Sequence, residues 1–323
     1  MATGKILITP RSLTAGGHPA LARFEQAGYE QVCCTPGQQP DEAQLLELLP
    51  GCVGYLAGVE PVSRRVLEQA RELRAISRNG VGVNNIDLEA AGQLQIAVLR
   101  VEGANARGVA ELTIALILSL VRHIPFSDHR LKQGQWQRRK GIELEDRTLG
   151  LVGCGHIGRL VAQMATALGM QVRGYDPVPH EALAAIPGFR YADLEQVLEE
   201  ADVVSLHAPA LPDGQPLLNQ ERIARMKSGA YLINTARGEL LDDVAVLAAL
   251  DAGRLAGVAI DAYRHEPPGA DPLVLHEKTI AVPHIGAFTE ESVSRAVVGA
   301  VENLIQALEN EEGIDDGCGC GDL

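Results

Sequence analysis

Aromatic side chains are scarce in this 323-residue chain: four Phe, six Tyr and one Trp, about 3% of the residues. Its cores must therefore be filled by Leu, Val, Ile and Ala, which the 46% apolar content supplies. Positive charge is the minority sign, with 28 Lys and Arg against 42 Asp and Glu and a net charge of −14. That balance argues against nucleic acid or an anionic membrane as a partner. An anionic small molecule has to be drawn instead by a local cluster of arginines. Long apolar runs are missing too. Residues 112–121 form the longest, interrupted by Thr113 and Ser119, and it is too short to span a bilayer. The start, M-A-T-G-K-I-L-I-T-P, has no signal-peptide pattern and reads as a first strand. Six cysteines scattered without a secretory signal point to reduced thiols and a cytoplasmic protein.

What is present centres on T-L-G-L-V-G-C-G-H-I-G-R-L-V-A-Q-M-A-T-A-L-G-M-Q-V-R-G-Y-D, residues 148–176. An apolar run leads into Gly153, Gly155 and Gly158, a helix-length segment follows, and a second apolar run ends on Asp176. The pattern reads as strand, glycine turn, helix and parallel strand, a dinucleotide-binding arrangement. Gly153 allows the turn, Gly155 lets the backbone approach a pyrophosphate at the helix N-terminus, and Gly158 lets helix and strand pack closely. Asp176, 23 residues after Gly153, can accept hydrogen bonds from the ribose hydroxyls and repels a 2′-phosphate, which favours NAD over NADP. Cys154, between the first two glycines, reads as local packing.

The length suits two domains. Before this element, strands are expected at 5–10, 51–58, 74–87 (running into a glycine loop) and 96–101, alternating with helical patterns at 19–28, 42–49 and 65–73. After it, strands are expected at 203–209, 230–238, 257–263 and 279–286, with helices between. A long helix from Asn105 has apolar residues all round and should be almost wholly buried between domains or subunits. Residues 122–147, polar, basic and carrying Trp136, read either as a surface loop or as an arm around a partner subunit. The last helix, 290–308, is returned to the first domain. The expected fold is α/β, with two doubly wound parallel-sheet domains: a Rossmann nucleotide domain at 105–284 inserted in a flavodoxin-like substrate domain made of 1–104 and 285–312. The glycine-rich tail 313–323, with Cys318 and Cys320, reads as disordered.

Ligands of open parallel sheets bind at the carboxyl ends of strands. Arg237, Asp261 and His284 end strands there, and Glu266 follows closely. Taken singly, a strand-end Arg or Glu is usually a surface ion pair and a His beside Pro usually packs. Taken together, downstream of a dinucleotide turn, they are what hydride transfer from a 2-hydroxy acid needs. The arginine holds the carboxylate and carbonyl through two prongs, the histidine moves the hydroxyl proton, and the carboxylate fixes the imidazole tautomer and favours its charged form.

At these residues the chain resembles the D-isomer-specific 2-hydroxyacid dehydrogenase family, most of all its phosphoglycerate dehydrogenase branch. S-R-N-G-V-G-V-N-N-I-D, G-A-N-A-R-G-V-A-E-L-T, G-C-G-H-I-G, I-N-T-A-R-G, D-A-Y-R-H-E-P-P and P-H-I-G-A carry the likeness, which extends to about residue 310. The resemblance implies a catalytic trio of Arg237, Glu266 and His284. It implies NAD contacts at Gly153, Gly155, His156, Ile157, Gly158, Asp176, His207, Thr235, Ala236, Asp261, Gly286 and Ala287. It also implies that the loop Asn79, Gly80, Val81 and Gly82 binds the substrate carboxylate through backbone N–H groups. Arg11 and Ser12, after the first strand, and Arg78 are placed to meet a distal phosphate. Asn84, Arg100, Glu102, Tyr263 and Arg264 depart from the usual family pattern. With about a dozen residues after the last helix, no regulatory domain is expected.

The expected function is an NAD-dependent dehydrogenase of a small D-2-hydroxy acid, 3-phosphoglycerate-like. One alternative is reduction of glyoxylate, hydroxypyruvate or a phosphonate 2-oxo acid. Another, of a different class, is an NAD(H)-sensing, corepressor-like interaction protein. No metal is expected. The expected partners are a small anionic substrate and a second copy of the chain.

Overall fold

The computed structural model describes residues 3–310, so the tail with Cys318 and Cys320 lies outside the described residues. Contacts divide the chain into two compact units, one of Met1–Asn105 with the stretch from Glu290, the other Ala106–Thr289. Both are α/β with wholly parallel sheets.

The first unit holds β1 (Gly4–Ile8), β2 (Tyr29–Cys33), β3 (Cys52–Ala57), β4 (Ala75–Arg78) and β5 (Ala97–Arg100), in the order β2-β1-β3-β4-β5. That is the flavodoxin-like order. The apolar run Ile6-Leu7-Ile8 is explained by burial on both faces, since alternate side chains enter different layers. Leu7, Tyr55 and Ile76 meet Leu45, Leu49, Val66, Leu67, Ala90 and Ala91 on one side. Ile6, Ile8, Leu56 and Ala75 meet Phe24 and the helix Glu290–Glu309 on the other. That helix contributes Val297, Ala300, Val301, Leu304 and Leu308, spaced three and four apart along one stripe.

The second unit holds β6 (Thr148–Val152), β7 (Gln171–Tyr175), β8 (Phe189–Tyr191), β9 (Val203–Leu206), β10 (Ala230–Asn234), β11 (Leu255–Ile260) and β12 (Thr279–Ala281). Their order, β12-β11-β10-β9-β6-β7-β8, reverses direction between β9 and β6, the doubly wound nucleotide-binding arrangement with one further strand. The helix His156–Ala167 buries Gly158, Val161, Ala162 and Ala165.

Two local expectations are corrected. Two strands went unread, β2 and β8. Both are edge strands whose exposed polar positions (Glu30, Arg190) interrupt the apolar run. Residues 122–147 are not all loop: Ile124–Lys132 is a helix, entered through His123 in the left-handed region (φ 52°) with Pro125 in its first turn. None of its residues is buried, so no apolar period marks it. Within the single chain the helix Ala106–Val121 buries one face. Arg107, Glu111, Ala115 and Leu118 form an exposed stripe down the other. No single described helix is long and apolar enough to cross a membrane.

Because Leu304 is fully buried between the terminal helix and the first sheet, Leu304→Ala should destabilise the first unit by about 2–5 kcal/mol. Urea unfolding followed by circular dichroism checks this, and a loss below about 0.5 kcal/mol would contradict the packing described.

Candidate functional site

The three glycines after β6 play different parts, two of them steric. Gly153 has φ +94°, and a Cβ there would stand 2.6 Å from the His207 backbone. At Gly158 a Cβ would lie 2.2 Å from the Gly153 carbonyl oxygen, so only glycine lets the helix close on the turn. At Gly155 a Cβ would meet nothing within 4 Å. Gly155 is instead the cap residue of the helix His156–Ala167, and no side chain caps that end. The first N–H groups of a twelve-residue helix thus face an open approach, with the positive end of its dipole behind them.

Asp176 follows β7 and is fixed by the same turn. Its Oδ2 accepts the Cys154 N–H at 2.6 Å and its Oδ1 the Val178 N–H at 2.9 Å. Each oxygen keeps a lone pair for a further donor. An uncapped helix end for a diphosphate and an oriented carboxylate for a ribose are the donor and acceptor set that NAD requires. Cys154 is packed, not reactive: burial, then the Asp176 charge, pushes its thiol up to about 12. His207 follows β9 with Nε2 2.9 Å from Ser205 Oγ, while its buried Nδ1 has no partner among the described residues. Desolvation lowers its pKa to about 3, so the ring is neutral and can accept or donate but carries no charge.

Arg237, Glu266 and His284 follow the adjacent strands β10, β11 and β12. His284 Nδ1 lies 2.7 and 2.9 Å from the two Glu266 oxygens, and Glu266 Oε1 also accepts the Tyr263 N–H at 3.1 Å. The ring is held by Nδ1, which leaves Nε2 for a substrate proton. Both side chains are about half exposed. His284 itself sits at φ 52°, a strained conformation held by its neighbours. Asp261, 2% exposed, does the holding: Oδ1 accepts Ile285 N–H at 2.6 Å and Oδ2 accepts Gly286 N–H at 2.9 Å. Burial raises the Asp261 pKa, and the two N–H donors oppose that shift. Asn234, at the end of β10, accepts the Ala236 N–H and donates to the Arg237 carbonyl, shaping the loop that projects the exposed Arg237.

The remaining cofactor candidates flank this frame. Thr235 and Ala236 are buried, and Thr235 Oγ1 lies 2.9 Å from Thr113 Oγ1. Gly286 is buried, Ala287 and Ile157 are half-buried, and His156 is exposed. In the first unit, Arg11 and Ser12 are exposed at the start of the helix Arg11–Gly16, whereas Arg78, Asn79, Gly80, Val81 and Gly82 are half-buried beyond β4. Sequence reasoning missed Asn234, the anchoring part of Asp261, and a buried carboxylate, Glu60, near Arg78. The spacing D-x-x-x-x-E ahead of P-H-I-G was the available signal for Asp261. Asn234 and Glu60 act through contacts that no local spacing announces.

Comparison with known proteins agrees with this geometry. Residues 114–286 match the family model described as "D-isomer specific 2-hydroxyacid dehydrogenase, NAD binding domain". A D-3-phosphoglycerate dehydrogenase from Methanocaldococcus jannaschii is 40% identical over 253 residues, 77% of this chain and 48% of that protein. The chain spans about half the length of the phosphoglycerate dehydrogenases it matches. A hydroxypyruvate reductase from Thermotoga maritima is 35% identical over 274 residues, 83% of this chain and 89% of that protein. The crystal structure of the TT0316 protein from Thermus thermophilus superposes with a TM-score of 0.85 at 36% identity, covering 95% of this chain and 98% of that one.

Asp176→Ala removes both the ribose acceptor and the charge that repels a 2′-phosphate. The ratio of kcat/KM for NADH over NADPH is expected to fall by about tenfold or more. An unchanged ratio would remove Asp176 from cofactor choice.

Proposed function

The chain belongs to the D-isomer-specific 2-hydroxyacid dehydrogenase family, and on that footing we propose that it interconverts a small D-2-hydroxy acid and its 2-oxo acid. The observation that carries this is the His284–Glu266 pair, set at the end of β12 in the unit that carries the dinucleotide turn. Bound NAD supplies the hydride acceptor, and NADH the donor. The protein's own groups supply the rest. The Arg237 guanidinium holds the substrate carboxylate and carbonyl, polarising the latter. In reduction, His284 delivers its proton from Nε2 to the carbonyl oxygen; in oxidation it takes that proton back. Glu266 keeps the ring in the one tautomer and orientation that puts Nε2 outward.

We assign the protein to a reducing compartment, the cytoplasm, consistent with the four unpaired cysteines among the described residues, Cys33 exposed. A second copy of the chain is its proposed partner. Leu118, Ile124, Leu131 and Trp136 expose apolar surface on the helix Ala106–Val121 and the segment after it, and Trp136 is 82% exposed.

Two measurements test these assignments. On a panel of 2-oxo acids with NADH, His284→Ala should lower kcat by roughly 100-fold or more, with NADH affinity little changed. Glu266→Gln should fall between that variant and the wild type. Turnover by His284→Ala at the wild-type rate would rule out the proton role, and residual wild-type rates on the whole panel would favour a nucleotide sensor. Light scattering at micromolar concentration should give twice the 34.4 kDa of one chain. A mass near 34.4 kDa would refute self-association.

A further inference from the structure

The loop that carries Glu266 has little beneath it. Residues 264–267 are exposed, and the loop crosses a cleft of about 500 Å³ lined by Leu241, Asp243, Ile260, Ala262 and Leu273. Close packing, which fixes a side chain in a core, is not what fixes this loop. Its side-chain bonds have to. Tyr263 and Arg264, two of the positions that depart from the family pattern, send such bonds in opposite directions. The Tyr263 hydroxyl donates to the Val282 carbonyl at 2.8 Å, on the strand end that leads into His284. The Arg264 guanidinium donates to the Leu241 carbonyl at 3.1 Å, on the turn that follows Arg237.

That turn and the Glu266 loop also meet through their backbones. Gly238 comes directly after Arg237, and a Cβ there would stand 2.2 Å from the Arg264 nitrogen and 2.2 Å from the Tyr263 carbonyl carbon. The turn is closed by its own bonds, Leu240 N–H to the Arg237 carbonyl and Leu241 N–H to the Gly238 carbonyl, each at 3.2 Å. A continuous set of bonds thus runs from the Arg237 turn through Leu241 and Arg264 to the Tyr263 N–H, Glu266 and the His284 ring. Among the described residues no carboxylate lies within ion-pair distance of Arg264, so its guanidinium is not spent on a surface ion pair. Its charge acts on Asp243 only at longer range, opposing the rise that burial and Asp271 impose on that carboxyl. A charged donor on a carbonyl is among the stronger single hydrogen bonds.

We infer that Arg264 is a positioning residue. It fixes the Glu266 loop against the Arg237 turn, so that the group holding the substrate and the pair moving its proton keep one relative placement. The inference rests on the proposed dehydrogenase reading and adds to it a residue that acts through others. Hydride and proton must reach the carbon and the oxygen of the same carbonyl. A misplacement of about 1 Å between Arg237 and the His284 ring is therefore costly, up to roughly 100-fold in rate. One hydrogen bond to one carbonyl is all the role demands, so a Lys ammonium can take it over. A two-pronged grip on a carboxylate would not tolerate that exchange.

The test measures kcat and KM with NADH for the 2-oxo acid of the panel that the wild type reduces fastest. Arg264→Met should lower kcat/KM for that acid by about tenfold or more, through kcat and KM together. The KM for NADH and the urea unfolding midpoint should change little, because the residue is exposed and far from the dinucleotide turn in sequence. Arg264→Lys should return to within about threefold of the wild type. In a Glu266→Ala background, where the loop has no carboxylate left to position, Arg264→Met should cost less than about threefold. Wild-type kcat/KM in Arg264→Met, with or without a lower urea midpoint, would overturn the inference. So would a loss that Lys does not recover, or the same tenfold loss in the Glu266→Ala background. If Arg264→Met does not fold, Arg264→Gln, too short to reach the carbonyl, replaces it in both comparisons with the same expectations. No turnover of any acid by the wild type would defeat the dehydrogenase reading itself, and this inference with it.

Discussion

The buried carboxylate of Asp261 ties together the strand ends on which the proposed catalytic groups stand. Its own N–H donates to the Asn234 carbonyl at the end of β10, and its two oxygens receive consecutive N–H groups beyond β12. Tyr263 adds a second tie, with its hydroxyl donating to the Val282 carbonyl at 2.8 Å and approaching that of Ile260 at 3.2 Å. Three strand ends are thereby fixed relative to each other by groups that never touch a substrate. That rigidity lets His284 keep a left-handed backbone and lets Glu266, on a loop, meet it at hydrogen-bond distance. The His284–Glu266 pair is half exposed and gains little from its own contact, since water competes for both partners. Its geometry comes from the dry carboxylate beneath.

The scarcity of aromatic residues takes on a clearer meaning in this light. Leu, Val, Ile and Ala fill the interiors, as the composition requires. Three of the six tyrosines place a hydroxyl at the end of a rigid arm. Tyr55 reaches Glu60, Tyr263 reaches two carbonyls, and Tyr191 accepts the His180 N–H while its ring meets Phe189 edge-on.

Much of this was legible in the sequence, for physical reasons that also mark where legibility stopped. Central strands of parallel sheets are dry on both faces, so β1, β3, β6 and β10 announce themselves as apolar runs. Edge strands β2 and β8 are wet on one side and read as loop. The helix Ile124–Lys132 buries nothing, so hydrophobic periodicity had nothing to report. In the site, the glycine turn was readable because its three glycines fall within six residues of one strand–helix junction. The contact of Glu60 with Thr9 was not, because the two are 51 residues apart and meet only once the sheet order puts β1 beside β3. Asn234 looks like any polar residue at a strand end until its two bonds to the following loop are seen.

The interrupted first unit has a consequence for how the chain is made. Its sheet comes from the first 105 residues, yet one face is covered in large part by the helix Glu290–Glu309. On a ribosome adding about 5–20 residues each second, roughly 10–40 s separate the last strand of that sheet from its lid. Through that interval Ile6, Ile8, Leu56 and Phe24 have no Val301 or Leu304 to rest on. The intervening unit, contiguous from Ala106 to Thr289, can close on itself first. The part of the protein begun earliest is thus finished last, and its half-built sheet is the stage of biosynthesis at which chaperones have most to hold.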